Sequence, residues 1–304
     1  MKIYNNANLS KKHCGGVVAI GNFDGVHLGH QKVINQAKEK AKKRNIPFGV
    51  MTFEPVPTMF FNSKIKNHRI NSLEQKKDQL KKIDLDFLII IRFNKYFSSL
   101  SAEQFIKKII YKKIKCKFLF VSKNFKFGFQ RQGNTQTLKK FEKLYNYQSI
   151  IAEPFKKYKK IISSSLIRKK ISLGKIHETN ELLNRKWIIK GKVIKGDGRG
   201  RKIGFPTCNI RLNNYIIPRL GVYLIKAKGT KFNKMGIANI GYRPTFNGKK
   251  LLLEVNIFGI NKNLYNKDIS VSFIKFIRPE KKFKGLEQLK KQIQIDISHA
   301  QKNA

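Results

Sequence analysis

The first half of the chain alternates short apolar runs with segments of helical character. The runs have the length of β-strands and are Val17–Ile20, Phe48–Phe53, Phe87–Ile91 and Phe118–Val121. The helical segment after the first run extends to about Arg44, and Ser72–Gln75 and Ser101–Gln104 are capping-box patterns that open two more helices. This order predicts an α/β domain with a parallel sheet covered on both faces, whose ligands bind at the carboxyl ends of the strands.

The pattern changes near Arg185. From Trp187 onward, apolar residues alternate with polar ones, and glycines and prolines recur between short strands. These strands are Gly221–Ile225, Ile237–Ile240, Leu251–Ile257 and Ile269–Phe276. They predict an antiparallel barrel or sandwich. Near the end of the chain, four apolar residues share one face of a predicted helix, and they are Leu286, Leu289, Ile293 and Ile297. We therefore predict two domains, residues 1–183 and residues 184–304.

The composition excludes several classes of protein. The chain has 304 residues, of which 41% are hydrophobic, so it can form packed cores and is not a disordered chain. The longest strongly apolar run, Phe87–Ile91, is far shorter than the ~20 residues that a membrane-spanning helix needs. No secretory signal pattern is visible. The three cysteines, Cys14, Cys116 and Cys208, are too widely spaced for a disulfide framework or a zinc site, so we expect a reducing, cytoplasmic setting.

The net charge raises the question of nucleic-acid binding. The chain carries 65 Lys and Arg against 18 Asp and Glu, a formal net charge of +47. Such a chain attracts polyanions of any kind. However, most of the basic residues are lysines spread along the whole length, whereas base readers and phosphate clamps favour arginine. A diffuse, solvated surface is therefore the better interpretation, and we expect no dedicated nucleic-acid site.

The first candidate site is the segment Gly21–His30, which follows the first strand and enters a helix. Free backbone N–H groups and the helix dipole attract anions at such a position. Gly25 and Gly29 leave room for a phosphate to approach the backbone. His27 and His30 are three residues apart, so both imidazoles project from one side of the first turn and can stabilise charge on a pyrophosphate leaving group. A pair of solvent-facing histidines is the alternative, which this context disfavours.

The second candidate site is the segment Ser163–Arg168. Serines after a strand cap the following helix, and Arg168 lies in its first turn, where a cation opposes the helix dipole unless an anion is bound. The hydroxyls of Ser164 and Ser165, exposed amides and a guanidinium fork suit a triphosphate. Alone, the segment would be an ordinary serine cap with an exposed arginine. Together with the histidine segment in one α/β domain, it favours a phosphate site.

The third candidate site lies in the second half. The run Gly196–Asn209 has glycines able to fold around phosphates, although it matches neither common glycine-rich phosphate motif. Thr207 offers a hydroxyl oxygen and Asn209 an amide oxygen, both suitable ligands for Mg²⁺. Glu254 is a lone acid in an apolar strand, where a carboxylate could accept the proton of an attacking hydroxyl group. The alternatives are a flexible hairpin tip for the glycine run and an outward-facing position for Glu254, and each is about as good when taken alone.

These motifs resemble those of the bacterial bifunctional riboflavin kinase/FMN adenylyltransferase, or FAD synthetase, family. In the first half the resemblance rests on Gly21–His30, Thr52–Pro55, Asn124–Gly128 with Arg131 and Gly133, and Ser164–Arg168. In the second half it rests on Gly200–Asn209, Gly221–Tyr223, Ala238–Thr245, Leu253–Val255 and Arg278–Glu280. It implies a Rossmann-like nucleotidyltransferase domain with a parallel sheet, followed by an antiparallel β-barrel riboflavin kinase domain with a C-terminal helix.

The resemblance also implies two reactions, phosphorylation of riboflavin to FMN by ATP and adenylylation of FMN to FAD by a second ATP with release of pyrophosphate. It implies His27, His30 and Glu254 as catalytic residues and Mg²⁺ as the cofactor with ATP, held by Thr207 and Asn209. The implied ATP-binding residues are Gly21, Asn22, Asp24, Gly25, Gly29, Ser164, Ser165, Arg168, Gly196, Gly204, Thr207 and Asn209. The implied flavin-binding residues are Asn124, Arg243 and Arg278.

Some positions depart from the family pattern without removing a proposed catalytic group. Val56 stands where the family often has His, and Ser122 replaces a usual Gly. Asn124 replaces a common Asp, so its amide can still hydrogen-bond but carries no charge. Ser165 stands for Thr and keeps the hydroxyl. Asn266 stands where Gly is usual, and asparagine tolerates left-handed backbone angles.

Two other functions compete with the flavin enzyme. An adenylyl- or cytidylyltransferase for another substrate, with a β domain that only binds, is disfavoured because Thr207, Asn209 and Glu254 all occur in their expected contexts. A basic nucleic-acid-binding protein predicts arginines and aromatic residues clustered together, and the sequence has no such cluster. We expect small-molecule partners (riboflavin, FMN, FAD and ATP) and no membrane association, and the sequence leaves the oligomeric state open.

Overall fold

The structure is a computed structural model that describes residues 1–196, 198–245 and 248–302. The chain packs as two compact units, and the first comprises Met1–Ile65 and Leu73–Ser163. Its strands are Lys2–Tyr4 (β1), Val17–Ile20 (β2), Phe48–Glu54 (β3), Phe87–Arg92 (β4), Phe118–Ser122 (β5), Gln148–Ala152 (β6), Lys156–Lys157 (β7) and Lys160–Ile161 (β8). Its α-helices are Leu28–Arg44 (α1), Pro57–Phe61 (α2), Leu73–Lys81 (α3), Lys95–Ser98 (α4), Ala102–Phe105 (α5), Thr135–Lys140 (α6) and Glu142–Tyr145 (α7).

A six-stranded parallel sheet organises the first unit. Its strand order is β1-β4-β3-β2-β5-β6, and every neighbouring pair is parallel. The chain passes from β2 to β3 on one side and later reaches β5 on the other side. The strand order therefore reverses between β2 and β5, which is where open α/β sheets form a ligand crevice.

The centre of this sheet is apolar on both faces. All four residues of β2 are buried, with exposures of 0–2%. One core cluster packs on the face that includes Val18 and Ile20, and a second packs on the face of Val17 and Ala19. A strand buried on both faces must be apolar throughout, which explains why the sequence shows continuous runs here and not alternation.

Helix α1 covers one face of the sheet. Its buried residues, Val33, Ile34, Ala37 and Ala41, recur at helical spacing and face the core. Burial of Val33 and Ile34 contributes about 2 kcal/mol each. The helix ends at Asn45, which adopts the left-handed conformation (φ 50°) that asparagine tolerates at helix ends.

The second unit comprises Lys66–Ser72 and the chain from Ser164 onward. Its helices are Ser164–Ser172 (α8), Ile176–Leu183 (α9), Arg199–Lys202 (α10) and Leu286–Lys302 (α11). Its strands are Trp187–Ile194 (β9), Cys208–Arg211 (β10), Gly221–Gly229 (β11), Phe232–Thr245 (β12), Gly248–Ile257 (β13) and Asp268–Pro279 (β14). Within the described residues, these strands close into a barrel in the order β10-β13-β12-β11-β14-β9, with antiparallel neighbours.

Large aromatic side chains fill the barrel. Trp187, Tyr223 and Phe273 are at most 2% exposed, and the ring centroids of Trp187 and Phe273 lie 4.7 Å apart. The indole N–H of Trp187 donates a 2.8 Å hydrogen bond to the carbonyl of Ile70. Arg69 forms a β-bridge with Tyr215. The segment Lys66–Ser72 is therefore a structural part of the barrel unit.

Helix α11 packs on the outer face of the barrel. Its Ala300 joins a cluster with Val222, Leu224 and Ile237. Asp296, which is 2% exposed, accepts hydrogen bonds from the Arg278 guanidinium, with Nε–Oδ1 at 2.9 Å and Nη2–Oδ2 at 2.6 Å. Buried charges need partners of this kind, so the pair anchors the helix to β14.

The predicted architecture is confirmed. The first half forms a parallel α/β sheet, and the second half forms an antiparallel barrel with a C-terminal helix. Asn266 has the expected left-handed backbone, with φ 62°. In the first unit, strands β1 and β6 of the parallel sheet and the short strands β7 and β8 were not predicted. Leu286 is 66% exposed, because the first turn of α11 extends beyond the apolar cluster that receives Ile293 and Ile297. The boundary between the two predicted domains, at residues 183 and 184, stays a prediction.

The pair of Arg278 and Asp296 gives a testable prediction for the barrel. We expect Asp296→Ala to lower the free energy of unfolding of this unit by about 3 kcal/mol, because the substitution leaves a largely buried guanidinium without its carboxylate. The measurement is urea unfolding followed by the fluorescence of Trp187, the single tryptophan of the chain. The control is Glu287→Gln on the same helix, at an exposed position. A loss below about 1 kcal/mol would contradict this role.

Candidate active sites

The first candidate site lies where the strand order of the sheet reverses. The segment Gly21–His27 follows the carboxyl end of β2, and the loop with Asn124 follows the carboxyl end of β5. Strands β2 and β5 are direct neighbours and parallel. The predicted ATP segment and the predicted flavin residue Asn124 thus start from the same edge of the sheet, as expected for a ligand crevice.

The turn after β2 has an unusual backbone. Phe23 (φ 45°), Gly25 (φ 86°) and Val26 (φ 38°) all have positive φ angles. This conformation is strained for a β-branched residue such as Val26. Phe23 and Val26 are each 2% exposed and belong to the core cluster that includes Ile34. Their apolar burial compensates the strain and fixes the turn in one conformation.

The two histidines lie side by side at the start of α1, which confirms the predicted geometry. Their rings stack with centroids 3.6 Å apart and an interplanar angle of 19°. His27 caps the helix, and its Nδ1 accepts a 3.3 Å hydrogen bond from the backbone N–H of His30. Because Nδ1 is the acceptor, the neutral ring of His27 carries its proton on Nε2. The rings of Phe23 and His30 pack edge to face, with their centroids 5.2 Å apart.

Different structural constraints account for the glycines of this segment. Gly25 supplies a positive φ angle, whereas a side chain at Gly21 would touch the ring of Phe23 at 3.0 Å. A Cβ at Gly29 would lie 3.2 Å from the His27 ring and 3.3 Å from the carbonyl oxygen of Ile162. The close packing of the chain itself therefore favours glycine at 29. Phosphate access at Gly25 and Gly29 stays a prediction.

Polar groups below the turn hold its backbone in place. The carbonyl oxygen of Asn22 accepts hydrogen bonds from the Thr52 hydroxyl (3.0 Å) and the Lys76 ammonium (2.8 Å). Asp24 and Lys76 are each 2% exposed. Lys76 could not be identified as a site residue from the sequence, because one buried lysine has no local signature among so many solvated lysines. The predicted ATP contacts of Asn22 and Asp24 stay predictions.

The serine–arginine segment is found at the expected helix start. Helix α8 begins at Ser164, with Ser164 half-buried and Ser165 exposed. The Nε of Arg168 donates a 2.8 Å hydrogen bond to the carbonyl of His68. These residues belong to the second compact unit, and the histidine segment belongs to the first. Their union in one triphosphate site therefore stays a prediction.

The candidate site of the second half, called the barrel site below, is a row of polar residues across three neighbouring strands of the barrel. Asn209 of β10 lies opposite Glu254 of β13, and Glu254 lies opposite Asn239 of β12. Directly opposed residues share a face of the sheet. The neighbours of Glu254 along its strand, Leu253 and Val255, are fully buried on the other face. Strand register thus brings the predicted base next to the predicted magnesium ligand Asn209.

Glu254 is ion-paired. Its Oε2 accepts hydrogen bonds from Arg243, at 3.1 Å from Nε and at a shorter distance from Nη2. Arg243 Nη1 also lies 3.4 Å from Oε1 of Glu280. Burial lowers the pKa of Arg243, but the hydrogen bonds and charge of Glu254 and then of Glu280 outweigh it, so the pKa stands above its usual value. Arg243 thus holds the carboxylate of Glu254 in one position.

Asn209 is suited to bind a cation. Its side chain is 8% exposed, and its Oδ1 is buried and accepts no hydrogen bond from any described residue. A Cβ at Gly196 would overlap the amide nitrogen of Asn209, so this glycine lets the amide approach the backbone. Gly204 has φ 85°, which only glycine adopts easily. A buried oxygen without a donor fits Mg²⁺, a hard cation that prefers oxygen ligands.

A cavity of about 330 Å³ opens beside these residues. Thr207, Cys208 and Gly204 contribute to its wall, with Val255 on the facing strand and Tyr265 on the loop that follows. Burial raises the pKa of the Cys208 thiol, so this group stays neutral. The cavity is of a size that small ligands occupy. Asp197 of the glycine run lies outside the described residues.

The predicted flavin residues have different surroundings. Asn124 is exposed, whereas Arg243 is committed to Glu254 and Glu280. The guanidinium of Arg278 is bound by Asp296 on α11. This pairing gives Arg278 a structural role that the sequence did not indicate. Flavin contacts by these three residues stay predictions.

Across residues 1–196, 198–245 and 248–302, no three His, Cys, Asp or Glu side chains come together to hold a metal ion. In the same part of the chain, no helix has the length and apolar character to cross a bilayer.

Comparison with known proteins assigns both halves. Residues 9–166 match the family model of FAD synthetase, and residues 183–304 match the family model of riboflavin kinase. A crystal structure from Streptococcus pneumoniae, described as a macrolide-efflux protein, is similar over 98% of both chains, with a TM-score of 0.86 and 29% sequence identity.

Relatives match along nearly the whole chain. The bifunctional riboflavin kinase/FMN adenylyltransferase of Buchnera aphidicola subsp. Schizaphis graminum is 42% identical over 300 residues, which cover 97% of this chain and 96% of that protein. The enzyme of the same name from Bacillus subtilis is 38% identical and covers 96% and 93% of the two chains. That of Escherichia coli is 35% identical, covering 97% and 94%. The chain therefore belongs to the bifunctional riboflavin kinase/FMN adenylyltransferase family of enzymes, which serve flavin cofactor biosynthesis.

Proposed function

We propose that the two predicted domains divide the work of flavin cofactor synthesis, with residues 1–183 adenylylating FMN and residues 184–304 phosphorylating riboflavin. The observation that carries the first assignment is the stacked pair of His27 and His30 at the carboxyl end of β2. The row of Asn209 and Glu254 on neighbouring strands supports the second. The test is incubation of the protein with riboflavin, ATP and Mg²⁺, with chromatographic separation of the flavins. Failure to form FMN and FAD would refute the proposal.

In the adenylyl transfer, a phosphate oxygen of FMN attacks the α-phosphorus of ATP. A new P–O bond forms, and the bond to the β-phosphate oxygen breaks, so pyrophosphate leaves with the bonding electrons. The groups that serve in this step are the Nε2–H of His27 and the ring of His30, which is stacked on that of His27. Both donate hydrogen bonds to the leaving pyrophosphate. Removal of a donor to such developing charge slows reactions by about 10²–10³-fold.

In the kinase reaction, the 5′-hydroxyl oxygen of riboflavin attacks the γ-phosphorus of ATP, and ADP leaves. Glu254 accepts the hydroxyl proton. Arg243 holds the carboxylate of Glu254 in position to accept that proton. A positioned general base contributes about 10²–10⁴-fold to a rate. Positioning and electrostatic stabilisation of the phosphates supply most of the remainder.

Mg²⁺ would be held by the Thr207 hydroxyl and by Oδ1 of Asn209 together with the phosphates of ATP. When bound, it neutralises phosphate charge and orients the γ-phosphate. Gly196 and Gly204 allow the loop to approach the nucleotide, and the cavity beside Thr207 would take another part of the same ATP. Ser164, Ser165 and Arg168 would bind the triphosphate of the other ATP.

We further propose a cytoplasmic location, small-molecule partners and no dedicated nucleic-acid site. These follow from the sequence arguments, since three widely spaced cysteines and a diffuse lysine surface suggest neither an oxidising compartment nor a nucleic-acid site.

We expect His30→Ala to lower FAD formation by at least about 100-fold while FMN accumulates from riboflavin, because the leaving pyrophosphate loses a donor and the barrel site is intact. Chromatography of the flavins with time measures both steps in one sample. The control is His177→Ala, at an exposed position on α9. Equal loss of both steps in a folded protein would contradict separate sites.

We expect Glu254→Ala to abolish FMN formation from riboflavin while added FMN is still converted to FAD, because only the kinase step needs this base. The two rates are measured separately, with riboflavin or with FMN as the starting flavin. The matched control is Glu287→Ala, which removes an exposed carboxylate of the same unit. Retention of more than about a tenth of the kinase rate would refute the assignment of the base.

We expect Asn209→Ala to raise the Mg²⁺ concentration needed for half-maximal kinase activity by about 10-fold or more, because the ion loses one of the two protein oxygens proposed to hold it. The adenylyltransfer rate of the same variant with added FMN should stay within about twofold of the unchanged protein. Chelation of Mg²⁺ should stop the kinase step in both proteins. An unchanged Mg²⁺ dependence would show that Asn209 does not hold the ion.

A further inference from the structure

Lys76 is a buried lysine that neither proposed reaction uses. It lies on α3 and is 2% exposed, one of the largest fully buried side chains of the protein. Lysine is almost never fully buried unless it is paired, because removing an ammonium group from water is expensive. Its position in the fold therefore needs a reason beyond the general abundance of lysine on the surface of this chain.

The ammonium group of Lys76 is directed at the backbone of the histidine segment. It donates hydrogen bonds to the carbonyl oxygen of Asn22 (2.8 Å) and to the hydroxyl oxygen of Thr52 (3.2 Å). The Thr52 hydroxyl itself donates to the same carbonyl at 3.0 Å. Thr52 is fully buried near the carboxyl end of β3. The three groups form a closed triangle of hydrogen bonds below the turn.

This triangle fixes the orientation of one peptide plane. A trans peptide is planar and places its C=O and N–H on opposite sides. With the carbonyl of Asn22 held inward by two donors, the N–H of Phe23 is turned away from Lys76, toward the outer side of the turn. Phe23 has φ 45° and is the first of the strained residues before His27. The triangle thus acts at the point where the turn leaves regular backbone geometry.

The triangle also places the ammonium group of Lys76 beneath the segment proposed to bind phosphate. Asp24 of the same segment is buried to the same degree, at 2% exposure, so the proposed effect of Lys76 rests on the position of the backbone and not on its charge.

We propose that Lys76 is a positioning residue for adenylyl transfer, which holds the Asn22 peptide so that the histidine turn binds the leaving pyrophosphate. The proposal rests on the function proposed above for His27 and His30. It assigns Thr52 as the partner that completes the arrangement. A lysine that merely stabilised the sheet would change the unfolding transition and leave the transfer step unaffected.

The test compares four variants of the full-length protein. Lys76→Met removes the charge and the donor with little change in volume, and Lys81→Met makes the same substitution at an exposed position of α3. Thr52→Val removes the hydroxyl, and Thr52→Ser restores it. The kinase rate from riboflavin reports the integrity of the protein, because no residue of the triangle belongs to the barrel unit. The readouts are kcat and KM for adenylyl transfer with added FMN.

We expect Lys76→Met to lower the kcat of adenylyl transfer by about 100-fold with little change in KM for FMN, since small displacements in an active site have effects of this size. Thr52→Val should lower kcat by about 10-fold, and Thr52→Ser should recover most of it. Lys81→Met should match the unchanged protein. A Lys76→Met variant with kcat within about twofold of the unchanged protein overturns the proposal. If that variant does not fold, equal activities of the Val and Ser variants at 52 overturn it.

A binding experiment separates this proposal from the proposed function. Calorimetric titration with pyrophosphate, corrected by the heat that remains in His30→Ala, measures binding at the histidine turn. We expect Lys76→Met to weaken this binding by about 10-fold or more, whether or not FAD forms. Normal binding by Lys76→Met refutes the positioning role. A chain that shows this loss of binding but makes no FAD refutes the proposed function and leaves the role of Lys76 supported.

Discussion

The burial of Phe23 and Val26 is the interaction on which the first site depends. Both residues have backbone angles that L-amino acids avoid, and their insertion into the core compensates this strain. Without it, the turn after β2 would relax toward ordinary loop geometry, and His27 would no longer cap α1. Apolar packing therefore fixes the site together with the hydrogen bonds of Thr52 and Lys76 to Asn22.

The barrel site is positioned by strand register and ion pairing. Strand register sets Asn209, Glu254 and Asn239 in one row, and the spacing of neighbouring strands determines their separation. No strained backbone is needed for this row. Electrostatic pairing then sets the orientation of the carboxylate, because Arg243 bridges Glu254 and Glu280. In the proposed function, helix-start geometry serves one phosphoryl chemistry and sheet geometry serves the other.

The sequence predicted the parts of this fold that have a local signature. Continuous apolar runs identified the buried strands β2 to β5, and the alternation after Trp187 identified the barrel. Strand β1 has too little apolar character to be recognised, because it lies at the sheet edge and is mostly exposed. The histidine pair was predictable because three-residue spacing on a helix has one geometric outcome.

Pairings between distant segments could not be predicted in the same way. The carboxylate that holds Arg278 comes from α11, and the carbonyl that Lys76 holds lies in the turn after β2. The sequence around each partner does not indicate the pairing, because the contact exists only after the chain has folded. Composition made this harder, since a lysine-rich sequence hides the single lysine whose surroundings differ from the rest.

The contribution of Lys66–Ser72 to the barrel unit limits how far the two halves are separable. The chain leaves the first unit after Ile65, supplies the acceptor for the indole of Trp187, and returns at Leu73. A single cut between residues 73 and 163 would therefore separate the indole N–H of Trp187 from its acceptor at Ile70 and leave a buried donor without its hydrogen bond.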